Sequence, residues 1–135
     1  MINKKKINTD IDQIVNEITH KMSDVEAIYL FGSMVGGKIT SKSDYDIAVI
    51  ASKYPGNDLE LVTNIKYSLI DKIKRPIDIV ILDINDLSHS SIFLYELYHN
   101  HKKLYGKEDI LKKSRHAIEK VSPIVEENKR IGYYV

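Results

Sequence analysis

The hydrophobic positions of this chain change period several times, and each change marks an element. Ile11, Ile14, Val15, Ile18 and Met22 recur at helical spacing, and Thr9 and Asp12 stand where a capping box would place them, so an amphipathic helix is expected here. Val25 to Phe31 is short, apolar and rich in β-formers, and it stops at Gly32-Ser33, the pattern of a buried strand. Residues 34–42 contain Gly36-Gly37 among polar side chains and read as a loop or short helical turn before a second strand from Ser43 to about Ala51. After Pro55-Gly56-Asn57, the stripe Leu61, Ile65, Leu69, Ile70 and Ile73 predicts a helix that ends before Pro76 and leads into a strand from Ile77 to Leu82. A helix from Asn85 or Asp86 to about Tyr98 follows, then a short strand from Lys102 to Tyr105. Ile110, Leu111, Ser114, Ala117, Ile118 and Val121 mark a last helix, which Pro123 is expected to stop. Residues 122–135 form a tail without an assignment. This order implies an α/β (α+β) fold, a small mixed sheet of about four strands covered by helices.

Composition narrows the class. The length of 135 residues is that of one domain, so residues 1–135 are expected to fold as a single unit. Hydrophobic residues make up 43% and charged residues 29%, as in soluble globular proteins. Twenty basic and nineteen acidic side chains give a net charge of +1, so no global field draws in nucleic acid or acidic lipid, and no direct nucleic-acid binding is expected. Any anionic ligand must be held locally. There is no cysteine and no apolar run of membrane-spanning length, and a cytoplasmic, membrane-free protein is expected. The Lys4-Lys5-Lys6 cluster reads as a solvated terminus.

Two Asp-x-Asp pairs stand out. Eleven aspartates in 135 residues produce about one such pair by chance, so spacing alone says little. Asp10-Ile11-Asp12 lies at the expected start of a helix, where carboxylates favour the positive dipole end, and is read as structural. Asp44-Tyr45-Asp46 opens a strand that continues as Ile47-Ala48-Val49-Ile50. Residues two apart on a strand point to one face with Cα atoms roughly 6.5 to 7 Å apart, near enough for both carboxylates to converge on one ion. Bare carboxylates 4 Å apart repel by about 4 kcal/mol at an effective dielectric near 20, and a hard cation such as Mg²⁺ would remove that cost. Solvated strand-edge aspartates are the plain alternative. Gly32-Ser33 ends the preceding strand with ten residues between it and Asp44, and its composition would place a Gly-Ser at a chosen position only roughly once in 280 times. Glycine lets a backbone approach a phosphate closely, and backbone N–H groups with the Ser33 hydroxyl can cradle its oxygens. Asp78, inside the apolar run Ile77 to Leu82, is a charge that a buried strand tolerates only when paired or metal-bound, with Arg75 or a lysine as the alternative partner.

Gly32-Ser33, ten residues, then Asp44-Tyr45-Asp46 resembles the signature of the polymerase-β-type nucleotidyltransferase superfamily. The short length resembles its minimal members, the MNT-type antitoxins encoded beside HEPN-domain toxins. That resemblance implies a nucleotidyltransferase fold and a third carboxylate, for which Asp78 stands in the matching position. It further implies catalysis by two Mg²⁺ ions held by Asp44, Asp46 and Asp78, with Gly32 and Ser33 on the triphosphate of ATP. AMP would pass to an acceptor hydroxyl, most simply a tyrosine of a HEPN-type toxin partner in a hetero-oligomer. A small-molecule acceptor, as in other superfamily members, and a non-catalytic module that neutralises a partner by contact are the rival readings. Ile92, Phe93, Tyr95, Tyr98 and Tyr133-Tyr134 are candidates for a contact surface of that kind. His99-Asn100-His101 lacks zinc-site spacing and reads as a surface turn, and Gly36-Gly37 with Lys38 and Lys42 as a connecting loop or a mobile lid.

Overall fold

The computed structural model describes residues 3–107 and 109–130. Strands β1 (Val25–Phe31), β2 (Tyr45–Ala51), β3 (Ile77–Asp83) and β4 (Lys102–Tyr105) form one sheet in the order β3-β2-β1-β4. β1 runs antiparallel to both β2 and β4, whereas β2 and β3 are parallel, so the sheet is mixed as the element order implied. Helix α1 (Lys4–Lys21) precedes β1, and α2 (Asp58–Leu69) makes the crossover that a parallel β2–β3 pair requires. Helices α3 (Ile92–His99) and α4 (Arg115–Arg130) flank β4.

Strand alternation divides the core in two. Ile28, Leu30, Tyr45, Ile47 and Val49 pack with Ile14 and Ile18 of α1 and Ile65 and Leu69 of α2. Ala27, Tyr29, Ala48 and Ile50, pointing the other way, pack with Leu94 and Leu97 of α3 and Ile118, Val121 and Val125 of α4. Each face of the sheet therefore has its own pair of covering helices.

The ends of the helices depart from expectation. α1 begins at Lys4, with the Asn3 side chain accepting from the Lys6 amide at 3.0 Å, so the Thr9–Asp12 capping box does not exist. Thr9 instead donates its hydroxyl to the Lys5 carbonyl, and Asp10 lies mid-helix and buried rather than at a dipole end. The expected helix from residue 85 divides in two: a 3₁₀ turn, Ile84–Ser88, is capped by Asp83, and α3 starts afresh where Ser91 accepts from the Leu94 amide at 3.0 Å. Ile70 is 66% exposed instead of lying on the buried stripe, because α2 ends at Leu69.

Pro123 does not stop α4. The 3₁₀ turn Ile110–Ser114 leads into a helix that runs through the proline, because Ile118, Val121 and Val125 stay buried on either side of it while Pro123 faces solvent. Packing of that stripe outweighs the lost amide hydrogen bond. The tail is thus helical to Arg130, and Tyr133-Tyr134 lie outside the described residues. Among the described residues no helix is long and apolar enough to cross a membrane.

Pro123→Ala is expected to restore a backbone hydrogen bond at an exposed position and to stabilise the fold by about 1–3 kcal/mol. A higher midpoint in thermal denaturation followed by far-ultraviolet circular dichroism is expected, and a lower one would contradict this account of α4.

Candidate active site

The register of the sheet gathers the polar residues at one end. Asp46 lies opposite Phe31 on β1 and opposite Asp78 on β3, so two carboxylates occupy neighbouring positions of a parallel pair. Asp46 has the strand phase of Ala48 and Ile50, and Asp78 that of Val80 and Leu82, so both belong to the α3–α4 face, beyond where those helices cover it. Asp44 stands just before β2 and in the same phase.

Gly32 closes the site from the β1 side. The chain leaves Phe31 and takes φ +73° at Gly32, a left-handed conformation natural to glycine. A Cβ built there would collide with Asp46 Oδ2 and lie 3.1 Å from its Cγ, so the backbone at Gly32 sits directly against that carboxylate. Ser33 follows in the 3₁₀ turn Gly32–Met34 with its side chain exposed. Gly37 folds back over Ser33, where a Cβ would come within 3.1 Å of the Ser33 Cα, and Gly36 packs on the Asn100 side chain. That segment is a packed turn.

The electrostatics follow from this placement. Partial burial, chiefly, and then the negative charges of Asp78 and Asp44 raise the pKa of Asp46 above the ordinary carboxylate value. A group disfavoured as an anion, close to two other carboxylates, is the donor set expected of a hard-cation site, and the missing Cβ at Gly32 is what lets Asp46 pack against that backbone. Among the described residues the carboxylates are not already drawn into a closed three-ligand cluster. Asp78 lies 4.0 Å from Lys66 of α2.

Asp78 differs from expectation. Its side chain is 65% exposed, because β3 is an edge strand, so burial does not mark it out. Arg75 is not its partner, since that guanidinium donates to the carbonyls of Thr40 at 2.8 Å and Ser43 at 2.6 Å. The neighbouring cation is a lysine, the other alternative: Lys66, which only the α2–β3 packing brings near residue 78. Asp83, at the far end of the same strand, is occupied as a cap, accepting from the Asn85 and Tyr54 amides. His101 contacts the Leu97 and Tyr98 carbonyls through Nδ1 and sets its ring edge-on to Tyr29, a packing role. Tyr95 is buried with its hydroxyl on Glu126, whereas Ile92 and Phe93 are partly exposed.

Comparison with known proteins accords with this geometry. The family model described as Polymerase beta, Nucleotidyltransferase matches residues 7–110. A Methanocaldococcus jannaschii protein provisionally named a protein adenylyltransferase is 25% identical over 136 aligned positions, covering 96% of this chain and 90% of its own. Among solved structures, a toxin–antitoxin complex with AMP-PNP aligns at TM-score 0.62 and 24% identity over 90% of this chain and 94% of that one. The complex of a tri-AMPylated Shewanella oneidensis HEPN toxin with its MNT antitoxin aligns at TM-score 0.60 and 23% identity, covering 92% and 93%. An Enterococcus spectinomycin adenyltransferase with ATP and spectinomycin aligns at 0.59 and 18%, covering 94% and 68%. At these identities the likeness to the solved structures is one of fold.

Asp46 generates a pH-dependent prediction. A carboxyl whose pKa is raised by folding contributes stability below its unfolded value and loses it as pH rises through the folded value. In metal-free buffer, Asp46→Asn is therefore expected to melt a few degrees above the wild type at neutral pH, with the difference vanishing in acid. Calorimetry across that range in the presence of a chelator checks it, and a less stable variant at neutral pH would refute the assignment.

Proposed function

This chain belongs to the polymerase β nucleotidyltransferase family, and from that premise we propose that it transfers AMP from ATP to a hydroxyl of a partner protein, with Asp44, Asp46 and Asp78 as its catalytic carboxylates. The observation that carries the reading is the register of β2 against β3, which sets Asp46 beside Asp78 with Gly32 against it. Asp44, Asp46 and Asp78 would hold Mg²⁺, two ions in all. Bound there, the metal would neutralise the triphosphate and acidify the acceptor hydroxyl. Gly32 and Ser33 would orient the β and γ phosphates: the glycine lets the backbone lie directly against Asp46, and the exposed Ser33 hydroxyl and neighbouring amides would donate. Attack on the α phosphorus releases pyrophosphate and leaves AMP on the acceptor oxygen. Asp78, the most exposed of the three carboxylates, is the most solvent-accessible route for the departing proton, with Lys66 4.0 Å away.

A macromolecular acceptor is supported by the surface next to Asp78. Leu59, Tyr67 and Ile70 of the α2 region are 80%, 78% and 66% exposed. Together with Lys66 and Pro76 they line an open groove of about 570 Å³ that also includes Asp78. Apolar side chains exposed together beside a reacting centre fit a protein surface better than a polar small molecule. The toxin–antitoxin complexes among the similar folds, one holding an AMPylated HEPN toxin, support a HEPN-type toxin as that partner, and the hydroxyl we propose as its acceptor is that of a tyrosine. The protein would then act as an antitoxin by adenylylation.

Incubation of the purified protein with Mg²⁺, labelled ATP and its co-encoded neighbour, read by intact mass, is expected to add AMP to the neighbour. Asp44→Asn and Asp78→Asn should each slow the transfer about a hundredfold or more, the scale of several kcal/mol of lost transition-state stabilisation. No transfer to an active neighbour would sink the proposal. Unchanged neutralisation of the partner by the Asp44→Asn, Asp46→Asn double variant would favour neutralisation by contact alone.

A further inference from the structure

On the face of the sheet away from the carboxylates, a polar network crosses an otherwise apolar core. Tyr45, the residue between Asp44 and Asp46, is fully buried and donates its hydroxyl to Asp10 Oδ2 at 2.7 Å, 35 positions away on α1. Asp10 is 3% exposed, and its other oxygen lies 3.2 Å from Lys6 Nζ. A carboxylate buried to this degree costs several kcal/mol unless paired, so the Tyr45 and Lys6 contacts are what make it tolerable. The Arg75 guanidinium sits 5.7 Å from the centre of the Tyr45 ring and sends both of its hydrogen bonds to the loop before β2, at Thr40 and Ser43.

These contacts converge where the ladder gives no support. Hydrogen bonding of β2 to the β3 side begins with the Tyr45 amide on the Pro76 carbonyl at 2.9 Å, so Asp44 lies just outside the strand. What holds the chain before it is a tight turn in which the Ser43 amide meets the Thr40 carbonyl and the Thr40 amide meets Ser43 Oγ, with Arg75 fastening the carbonyl at each end. Arg75 is also three residues before Asp78 on the same continuous segment. One guanidinium thus ties the approach to Asp44 to the approach to Asp78, and charge-assisted bonds of this kind are stronger and more directional than neutral ones.

We infer that Arg75, braced by Tyr45 and Asp10, is a positioning residue that sets Asp44 relative to Asp46 and Asp78 and thereby makes the carboxylates able to share a divalent cation. The inference rests on the metal-binding reading above. Outer partners that orient metal ligands alter affinity by about 10- to 100-fold when lost, and that range is the expected scale here.

The test is titration of the full-length protein with Mn²⁺ alone, followed by the electron paramagnetic resonance of the free ion. Arg75→Ala and Arg75→Lys are compared with wild type at a temperature where circular dichroism shows all three folded. Arg75→Ala is expected to weaken Mn²⁺ binding about tenfold or more. Arg75→Lys should recover only part of it, because an ammonium cannot reproduce the planar fork. Arg75 borders an open cavity of about 650 Å³ with Lys6, Ile39, Tyr45 and Lys74, so millimolar methylguanidinium can enter and should restore binding to Arg75→Ala but not to Asp44→Asn. Wild-type binding that persists within twofold in both Arg75 variants would overturn the positioning role while leaving the metal site intact. Failure of the wild type itself to bind Mn²⁺ would overturn the metal reading and this inference with it.

Discussion

Placing carboxylates side by side on neighbouring strands is electrostatically unfavourable, and the parallel pairing of β2 with β3 imposes just that on Asp46 and Asp78. The surrounding structure holds the two strands in register despite the repulsion. Apolar burial does most of it: Ile47, Val49, Ile65 and Leu69 are fully or almost fully buried on one face, and Ala48 and Ile50 on the other. With the middle of the sheet fixed in this way, the charged ends of the strands have little freedom to separate. What relief exists is local, through Lys66 beside Asp78 and a higher proton affinity at Asp46.

The two faces of the sheet divide the labour. Odd-numbered positions of β2 point toward α1 and α2 and hold the strand from behind, while even-numbered positions point toward the face that carries Asp46 and, further along, toward α3 and α4. Tyr45 and Asp46 are adjacent in sequence yet serve opposite sides, one anchored to a buried carboxylate and the other held against glycine. A one-residue slip of β2 would exchange them and ruin both.

Much of this was legible because strand phase is a local property. The limits of β1 and β4 and the start of β3 agree with the apolar runs and the Gly and Pro that bound them, and the phase of Asp44 and Asp46 followed from the same alternation. The start of α1 was hidden because its cap, Asn3, precedes three lysines with no apolar rhythm. The helix through Pro123 was hidden because burial of Val125 against the sheet is a tertiary fact. Arg75 and Lys66 could not be assigned from spacing, nor could the pairing of Asp10 with Tyr45, since these partners lie between 12 and 35 positions away. Asp78 was singled out for a burial it does not have; its exposure depends on strand order, which periodicity does not encode.

That strand order has a further consequence. Both edge strands of the sheet bear charge, Lys102 and Lys103 on β4 and Asp78 on β3. Charged side chains on an edge strand discourage another strand from adding to it, since docking would strip them of water. A charge at Asp78 therefore opposes strand addition at the β3 edge, and in the role proposed for it the demands of chemistry and of colloidal stability would coincide in one side chain.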